Sequence, residues 1–546
     1  MTFAATLFIA LFLTLAFIPI FKVIALRSHI MDIPNERKVH TRPIPRSGGL
    51  AMALGFCIAI LIVLPIDRFI IVATIGSLIL VGVGLVDDMY VIGYKSKFLA
   101  QIAAALVVII YGGVKISSLG MLLPAGVELP PVISLPLTLF VIVGVTNAIN
   151  LADGLDGLAG GITLIIFICL CTLAYRSGDS MVVIMCLAML GALFGFLSFN
   201  TYPASIFMGD AGSQFLGFVS IVLALRITQA NTALSPLLPL LIVGFPLIDT
   251  FLVMVERIQN GRSPFMADNN HFHHKLLNLG FFHTEAVFII YLLQTIFVVS
   301  AYLFRFYSDW FILELYLILS GSIIFFFQIT SKHGIKFKRY EFIDKGIKGS
   351  LRFLINRDNI LRISAITLSS LLPALFLTNC ILVNDLPSYA SIVSLLLTIM
   401  ILFICFKNTR LAGGIVRVVF YFVIPAIIYL NLKQSFYLSG LNLKFVYLGC
   451  CILCIVSALI MVRLIRRQDS FHISPMDFLI LIVALSVSPL MNTFLKAQQT
   501  SFFIMQILIF FYSYEILIHD SRKGKGVMIA TTISALIIIA FKGILY

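Results

Sequence analysis

The chain has 546 residues, 60% of them hydrophobic and only 11% charged, with a mean hydropathy of +1.09. So little polar surface cannot cover a water-soluble globular fold, which leaves lipid as the main solvent. The net charge of +14 does not call for nucleic acid, because membrane proteins gather Lys and Arg in their cytoplasmic loops and such a surplus also holds anionic lipid or phosphate.

In chain order, apolar runs of about 20 residues begin near Thr2, Ser47, Phe69, Lys97, Val132, Leu158, Met181, Ala211, Ala233, Thr284 and Asp309, each long enough to cross the hydrocarbon core as a helix. The first has no basic leader and no small-residue cleavage site, so it reads as a retained helix. Seven more begin near Ile360, Ser388, Gly414, Lys444, Met476, Ser501 and Val527. The expected fold is all-α, a polytopic transmembrane helical bundle of about 18 helices. A basic cytoplasmic loop, 331–359, divides a core of about 11 helices (1–330) from an additional region of about seven (360–546) that carries few acids and no second active site. Cys451 and Cys454 have C-x-x-C spacing beside Cys450, but they lie mid-run without a second pair and read as packing residues.

Loop charge predicts orientation. Arg27, Arg37, Lys38, Arg42 and Arg46 fill the first loop, Lys95 and Lys97 the third, Arg257, Arg262 and Lys275 the ninth, and the densest basic run the eleventh. Even-numbered loops hold little more than Arg68, Lys115, Arg176 and Arg305. Odd loops are therefore expected on the cytoplasmic side, with the amino terminus outside.

The conspicuous polar residues fall at the same face. Asp87 and Asp88 close the third helix, where two carboxylates oppose the helix dipole unless a cation accompanies them. Asn147, Asn150, Asp153 and Asp156 surround the fifth loop with glycines interleaved; a turn followed by small-residue packing is the alternative there. Asn200 and Asp210 bracket the seventh loop, and Asp210 taken alone is explained equally well as a helix N-cap. Asp268, His271, His273 and His274 occupy the ninth. Carboxylates and amides without thiols suit Mg²⁺, with Mn²⁺ the alternative, and the absence of G-x-x-x-x-G-K-[ST] excludes a P-loop nucleotidase.

At these residues the sequence resembles the polyprenyl-phosphate N-acetylhexosamine-1-phosphate transferases, in particular the bacterial undecaprenyl-phosphate GlcNAc-1-phosphate branch. The resemblance rests on Asp-Ile-Pro-Asn-Glu-Arg-Lys-Val-His-Thr-Arg-Pro-Ile-Pro-Arg-Ser-Gly-Gly (32–49), Gly-Leu-Val-Asp-Asp (84–88), Asn-Leu-Ala-Asp-Gly-Leu-Asp-Gly (150–157), Phe-Asn-Thr-Tyr-Pro-Ala-Ser-Ile-Phe-Met-Gly-Asp-Ala-Gly-Ser (199–213) and His-Phe-His-His (271–274). It implies a Mg²⁺-dependent reaction in which undecaprenyl phosphate attacks the β-phosphate of a UDP-N-acetylhexosamine, releasing UMP and starting cell-envelope polysaccharide synthesis such as that of lipopolysaccharide O-antigen. It also implies a multi-pass protein of the bacterial inner membrane whose site faces the cytoplasm.

Carried over by position, Asp210 resembles the Mg²⁺ ligand, with Asp88 a second, and Asp87 and Asp88 the essential acidic pair. Asn150, Asp153, Asp156, Asn200 and Phe207 match the nucleotide side, and His271, His273 and His274 the pyrophosphate and sugar end. Lys38 and Lys97 are expected to screen phosphate charge, although a Lys at a membrane edge also snorkels. Where some members carry a third acid after the pair, this chain has Val91. The lipid phosphate has a second pKa near 6 and is mostly dianionic at neutral pH, so the Asp pair is expected to position rather than deprotonate it. UDP-MurNAc-pentapeptide or another UDP-N-acetyl sugar remains open as donor. A membrane transporter is the rival from another class, disfavoured because its acids would lie at the midplane and no inverted repeat is seen. Oligomeric state is not legible.

Overall fold

The computed structural model describes residues 2–33, 43–90, 92–124, 127–230, 233–263, 270–332, 357–383, 388–407, 444–465 and 522–545, with scattered positions between 419 and 517. The chain divides into two compact units, Met1–Tyr340 with Ser474–Val483, and Glu341–Ile473 with Ala484–Tyr546. Among the described residues, nine helices are long and apolar enough to span a membrane.

In the front unit the long helices are α1 (Thr2–Arg27), α2 (Gly48–Val63), α3 (Arg68–Tyr90), α4 (Tyr94–Ile110), α5 (Pro131–Leu151), α6 (Leu158–Ser177), α7 (Ser180–Asn200) and α8 (Gly209–Thr228). They are followed by α9 (Leu238–Ile242), α10 (Gly244–Gln259), α11 (Phe272–Asn278), α12 (His283–Leu303) and α13 (Asp309–Lys332). A two-residue ribbon, β1 (Met31–Asp32) against β2 (Ile44–Pro45), is antiparallel and precedes α2. Helix starts lie within a few residues of the apolar-run starts, since hydrophobic length dictates them.

Helix α8 is the axis of this unit. Every residue from Ala211 to Leu225 is buried, and the helix packs on α2, α3, α5 and α6. A helix apolar all round belongs in the centre of a bundle. Close approach of α3 needs Gly84, because a Cβ there would strike the backbone of Ala211. The polar N-terminus of α8 is thereby held at the end of the bundle where α3 and α5 finish and α6 begins.

The ninth apolar run departs from a single continuous helix. It starts at Leu238 and breaks at Val243 into α9 and α10. Pro239 and Pro246 remove two donors from the helical ladder. Buried Gln294 of α12 satisfies the break, donating to the Ile242 carbonyl at 2.8 Å and accepting from Phe245 N–H at 3.3 Å. A short helix, α11, also stands within the ninth loop.

In the rear unit, α14 (Arg357–Leu382) packs on α16 (Lys444–Ile465) and α17 (Arg522–Leu545), and α15 (Ser388–Lys407) packs on α17. Leu368, Phe376, Cys380, Cys451 and Cys454 join one buried apolar cluster, where the thiols act as small hydrophobes. Asn379 donates to the Tyr447 hydroxyl at 2.7 Å within it. The expected run near Met476 and most of those near Gly414 and Ser501 lie outside the described residues, as does Glu515.

Candidate active site

Asp87 and Asp88 lie buried in the last turn of α3, facing the first turn of α8. A helix N-terminus leaves backbone N–H groups without intrahelical partners. Asp88 supplies acceptors for two of them: its Oδ1 takes Asp210 N–H at 3.2 Å and its Oδ2 takes Ala211 N–H at 3.4 Å. Gly209 makes this junction possible, since its φ of +67° is left-handed and a Cβ there would collide with the Asp88 carboxylate. Arg46, just after β2, reaches Asp88 Oδ1 at 3.7 Å with one guanidinium nitrogen and pairs with Asp32 through another. Asp88 is therefore engaged on both oxygens as the cap of α8.

Its neighbour faces a different partner. Lys97 of α4 lies 2.7 Å from Asp87 Oδ2 and forms a second ion pair with Asp210. Asn150, at the end of α5, donates to Ser213 Oγ at 2.8 Å and to Asp210 Oδ1 at 3.4 Å. Asp87 Oδ1 is buried with no hydrogen-bond partner. Two carboxylates thus share one ammonium, and one carboxylate oxygen is left over.

The turn between α5 and α6 carries Asp153 and Asp156. Burial, and then the nearby carboxylates of Asp210 and Asp88, push the Asp153 carboxyl up to about 8, with Arg46 opposing. Asp156 Oδ2 accepts Ala204 N–H at 2.9 Å, and Asp156 N–H donates to His283 Nε2 at 3.1 Å. Asn200 is buried, with Oδ1 accepting Gly157 N–H at 3.0 Å and Nδ2 donating to the Ile206 carbonyl at 2.9 Å. Both ends of that amide therefore staple backbone. Phe207 joins the same fabric through its backbone, donating to Pro45 O at 2.8 Å and accepting from Gly48 N–H at 2.9 Å. Asn147 sits half-buried one turn before Asn150.

The imidazoles complete the cluster. The His271 and His273 rings stack with centroids 6.0 Å apart, and those of His273 and His274 lie 4.3 Å apart. His273 occupies the space beside Gly154, so this cluster adjoins the Asp153 turn. Burial, and then the neighbouring His274, lower its pKa to about 3. His273 is therefore uncharged at neutral pH.

Sequence patterns did not single out Asp249, Arg46 or His283. Buried Asp249 of α10 lies 3.0 Å from His271 Nδ1 and accepts Phe272 N–H at 2.8 Å, fixing both the ring and the start of α11. A lone acid inside an apolar run was the available signal. Arg46 was visible as loop charge and as a member of the 32–49 motif, with no role assigned to it. His283 had no local signal. Lys38, Val91 and Asp268 lie outside the described residues.

Asp87, Asp88, Lys97, Asn150 and Asp210 are therefore joined by direct contacts at one end of the front unit, and the turn that carries Asp153 and Asp156, with His273 beside it, lies near enough for Asp153 to feel the Asp210 and Asp88 carboxylates. The candidate ligands around Lys97 are carboxylate oxygens of Asp87 and Asp210, a hard set with no thiol, while Asn150 turns its amide N–H toward Asp210 and Lys97 already places a positive charge between the two carboxylates. Such a set fits Mg²⁺ or Mn²⁺. Among the described residues, no three His, Cys, Asp or Glu side chains form a ready metal cluster, so an ion here would draw further ligands from substrate and water.

The profile of glycosyl transferase family 4 matches residues 70–228. A Bacillus subtilis (strain 168) protein named "Probable undecaprenyl-phosphate N-acetylglucosaminyl 1-phosphate transferase" is 36% identical over 335 residues, 61% of this chain and 93% of the relative. The undecaprenyl-phosphate alpha-N-acetylglucosaminyl 1-phosphate transferase of Escherichia coli O157:H7 is 33% identical over 57% of this chain and 86% of its own length. The decaprenyl-phosphate N-acetylglucosaminephosphotransferase of Mycolicibacterium smegmatis is 35% identical over 50% and 74%.

Proposed function

This chain belongs to the polyprenyl-phosphate N-acetylhexosamine-1-phosphate transferases of glycosyl transferase family 4, and from that premise we propose that it transfers GlcNAc-1-phosphate from UDP-GlcNAc to undecaprenyl phosphate. An oxygen of the lipid phosphate bonds to the β-phosphorus, the bond between the two phosphates breaks, and UMP leaves. The product is a diphosphate-linked lipid sugar that starts cell-envelope polysaccharide synthesis. The observation that carries the reading is the meeting of Asp87, Asp210, Asn150 and Lys97 at one helix-bundle end.

Both reactants are anions, so the site must first overcome their repulsion. Lys97 supplies one fixed positive charge and Arg46 another. A divalent cation, when bound, would be held by Asp210 and Asp87 and would neutralise charge on the donor diphosphate. Asp88 has both oxygens on α8 and Arg46, which favours a positioning role for it. No general base is required, because the lipid phosphate is already mostly dianionic at neutral pH. Asp153 holds a proton at that pH and can donate it as a hydrogen bond to a nucleotide oxygen. Neutral His273 and the Asp249-held His271 serve the diphosphate and sugar end.

The basic loops Arg27–Arg46 and Arg257–Lys275 lie in sequence at this end of the helices, which favours a cytoplasmic site in the bacterial inner membrane. The lipid tail can then remain in hydrocarbon while the head meets a soluble nucleotide sugar. The test is UMP release by the purified protein from UDP-GlcNAc, undecaprenyl phosphate and Mg²⁺. Release that requires all three supports the proposal. Absence of release with UDP-GlcNAc, but release with UDP-MurNAc-pentapeptide, would reassign the donor.

A further inference from the structure

His283 opens α12, outside the 271–274 cluster, yet it reaches the same turn. Its Nε2 lies 3.1 Å from Asp156 N. A backbone amide can only donate, so Nε2 carries no proton and the ring is a neutral imidazole protonated at Nδ1. The ring also lies against Tyr202, centroids 4.6 Å apart and 30° from parallel. Tyr202 belongs to the loop after α7, whose Ala204 N–H donates to Asp156 Oδ2 at 2.9 Å. One residue further, Tyr291 of the same helix donates to the Gly157 carbonyl at 2.6 Å. Helix α12 therefore grips two consecutive residues of the turn from outside it.

We propose that His283 is a nucleotide-positioning residue: through Nε2 it fixes the backbone of Asp156, and through its ring face the Tyr202 loop, so that both segments stand ready for the uridine diphosphate half of the donor. The inference rests on the proposed reading of this site as a UDP-sugar site. Without His283, Asp156 N–H loses the acceptor that holds it at 3.1 Å, and the hold of α12 on this residue of the turn is released. A second observation sharpens the assignment. His283 is 9% exposed and its Nδ1 has no hydrogen-bond partner. Its hydrogen-bonding work is carried by Nε2 alone, so a side chain that reproduces only that acceptor should replace it. Glutamine does so, with Oε1 reaching the position of Nε2; phenylalanine keeps a ring for Tyr202 but offers no acceptor.

The experiment uses the full-length protein, wild type, His283→Phe and His283→Gln, with UDP binding measured by calorimetry and turnover measured against each substrate. Loss of one buried acceptor predicts a rise of about tenfold or more in both the UDP dissociation constant and the KM for UDP-GlcNAc in His283→Phe. The kcat and the KM for undecaprenyl phosphate should stay within about threefold, and His283→Gln should recover UDP binding to within about threefold of wild type. Unchanged UDP binding in His283→Phe, a fall in kcat with KM unchanged, or a Gln variant as weak as Phe would overturn the inference. The reading of the reaction is tested separately by the wild type. If it binds UDP but turns over no UDP-GlcNAc, and His283→Phe weakens that binding, the reaction is wrong and the positioning role stands. If the wild type does not bind UDP, both fail.

Discussion

Lys97 joins α4 to the end of α3 through an ion pair with Asp87, Nζ to Oδ2 at 2.7 Å, and its second ion pair, with Asp210, ties both to the start of α8. An ammonium shared by two carboxylates from separate helices offsets the repulsion between them and lets them stand close together. Lys97→Met should lower kcat about 100-fold or more, the scale of losing one electrostatic group at a charged transition state. It should also leave Asp87 and Asp210 uncompensated, and so raise the apparent need for divalent cation. A Mg²⁺ titration of UMP release checks both; a Lys97→Met enzyme with wild-type kcat would return Lys97 to a snorkelling role.

Asp249 and His271 act as a unit in this account, because Nδ1 stands 3.0 Å from the carboxylate and the same carboxylate caps α11. Asp249→Asn should reduce kcat about tenfold or more through the lost charge-assisted hydrogen bond. The double variant with His271→Ala should be little worse than His271→Ala alone, since residues in one network are not additive. Fully multiplicative losses would separate the two residues.

The Asp153 carboxyl, raised to about 8, makes a prediction about stability and pH. Its usual value is 3.8, so above that the unfolded chain has released the proton while the folded protein keeps it until about 8. The folded state then binds the extra proton, and stability falls as pH rises through this window. Between about pH 4 and 6.5, His273 works the other way: it is neutral when folded and charged when unfolded, so its contribution favours folding as pH rises. Its slope is largely spent by pH 7. The unliganded protein should therefore lose thermal stability between pH 7 and about 8 and level off above, and Asp153→Asn should flatten that step. Thermal melts in chelator across this range decide it; an unchanged slope in Asp153→Asn would place the titration elsewhere.

The stretch shared with the Bacillus subtilis relative takes up 61% of this chain yet 93% of that relative, and the family profile falls wholly within the front unit, at residues 70–228. Truncation after Arg357 should leave a membrane-inserted protein with UMP release within about threefold of the full chain. The measurement is turnover per inserted protein. A truncated chain that inserts but does not turn over would assign part of the catalytic apparatus to the rear unit.

Much of the fold was legible because hydrophobic run length dictates where a membrane helix starts. The break in the ninth run had a visible cause in Pro239 and Pro246, but its repair by Gln294 depends on a residue two helices later. In the site, acids at helix ends drew attention because membranes punish unpartnered charge. The division of labour between Asp87 and Asp88 was not legible. Adjacent positions on a helix point about 100° apart, and only packing tells which meets Lys97 and which caps α8. His283 was invisible for a related reason: its partner is a backbone amide 127 positions away, and backbone amides leave no mark in a sequence.

The Asp87–Lys97–Asp210 junction is proposed to move a phosphosugar from nucleotide to lipid. Its most direct test is UDP-GlcNAc labelled at the β-phosphorus, incubated with undecaprenyl phosphate, Mg²⁺ and either wild-type protein or Asp210→Asn. The label should pass to the lipid phase with one UMP released per label, and Asp210→Asn should lose at least about 100-fold in rate. Label retained in the water-soluble nucleotide, or wild-type transfer by Asp210→Asn, would contradict it.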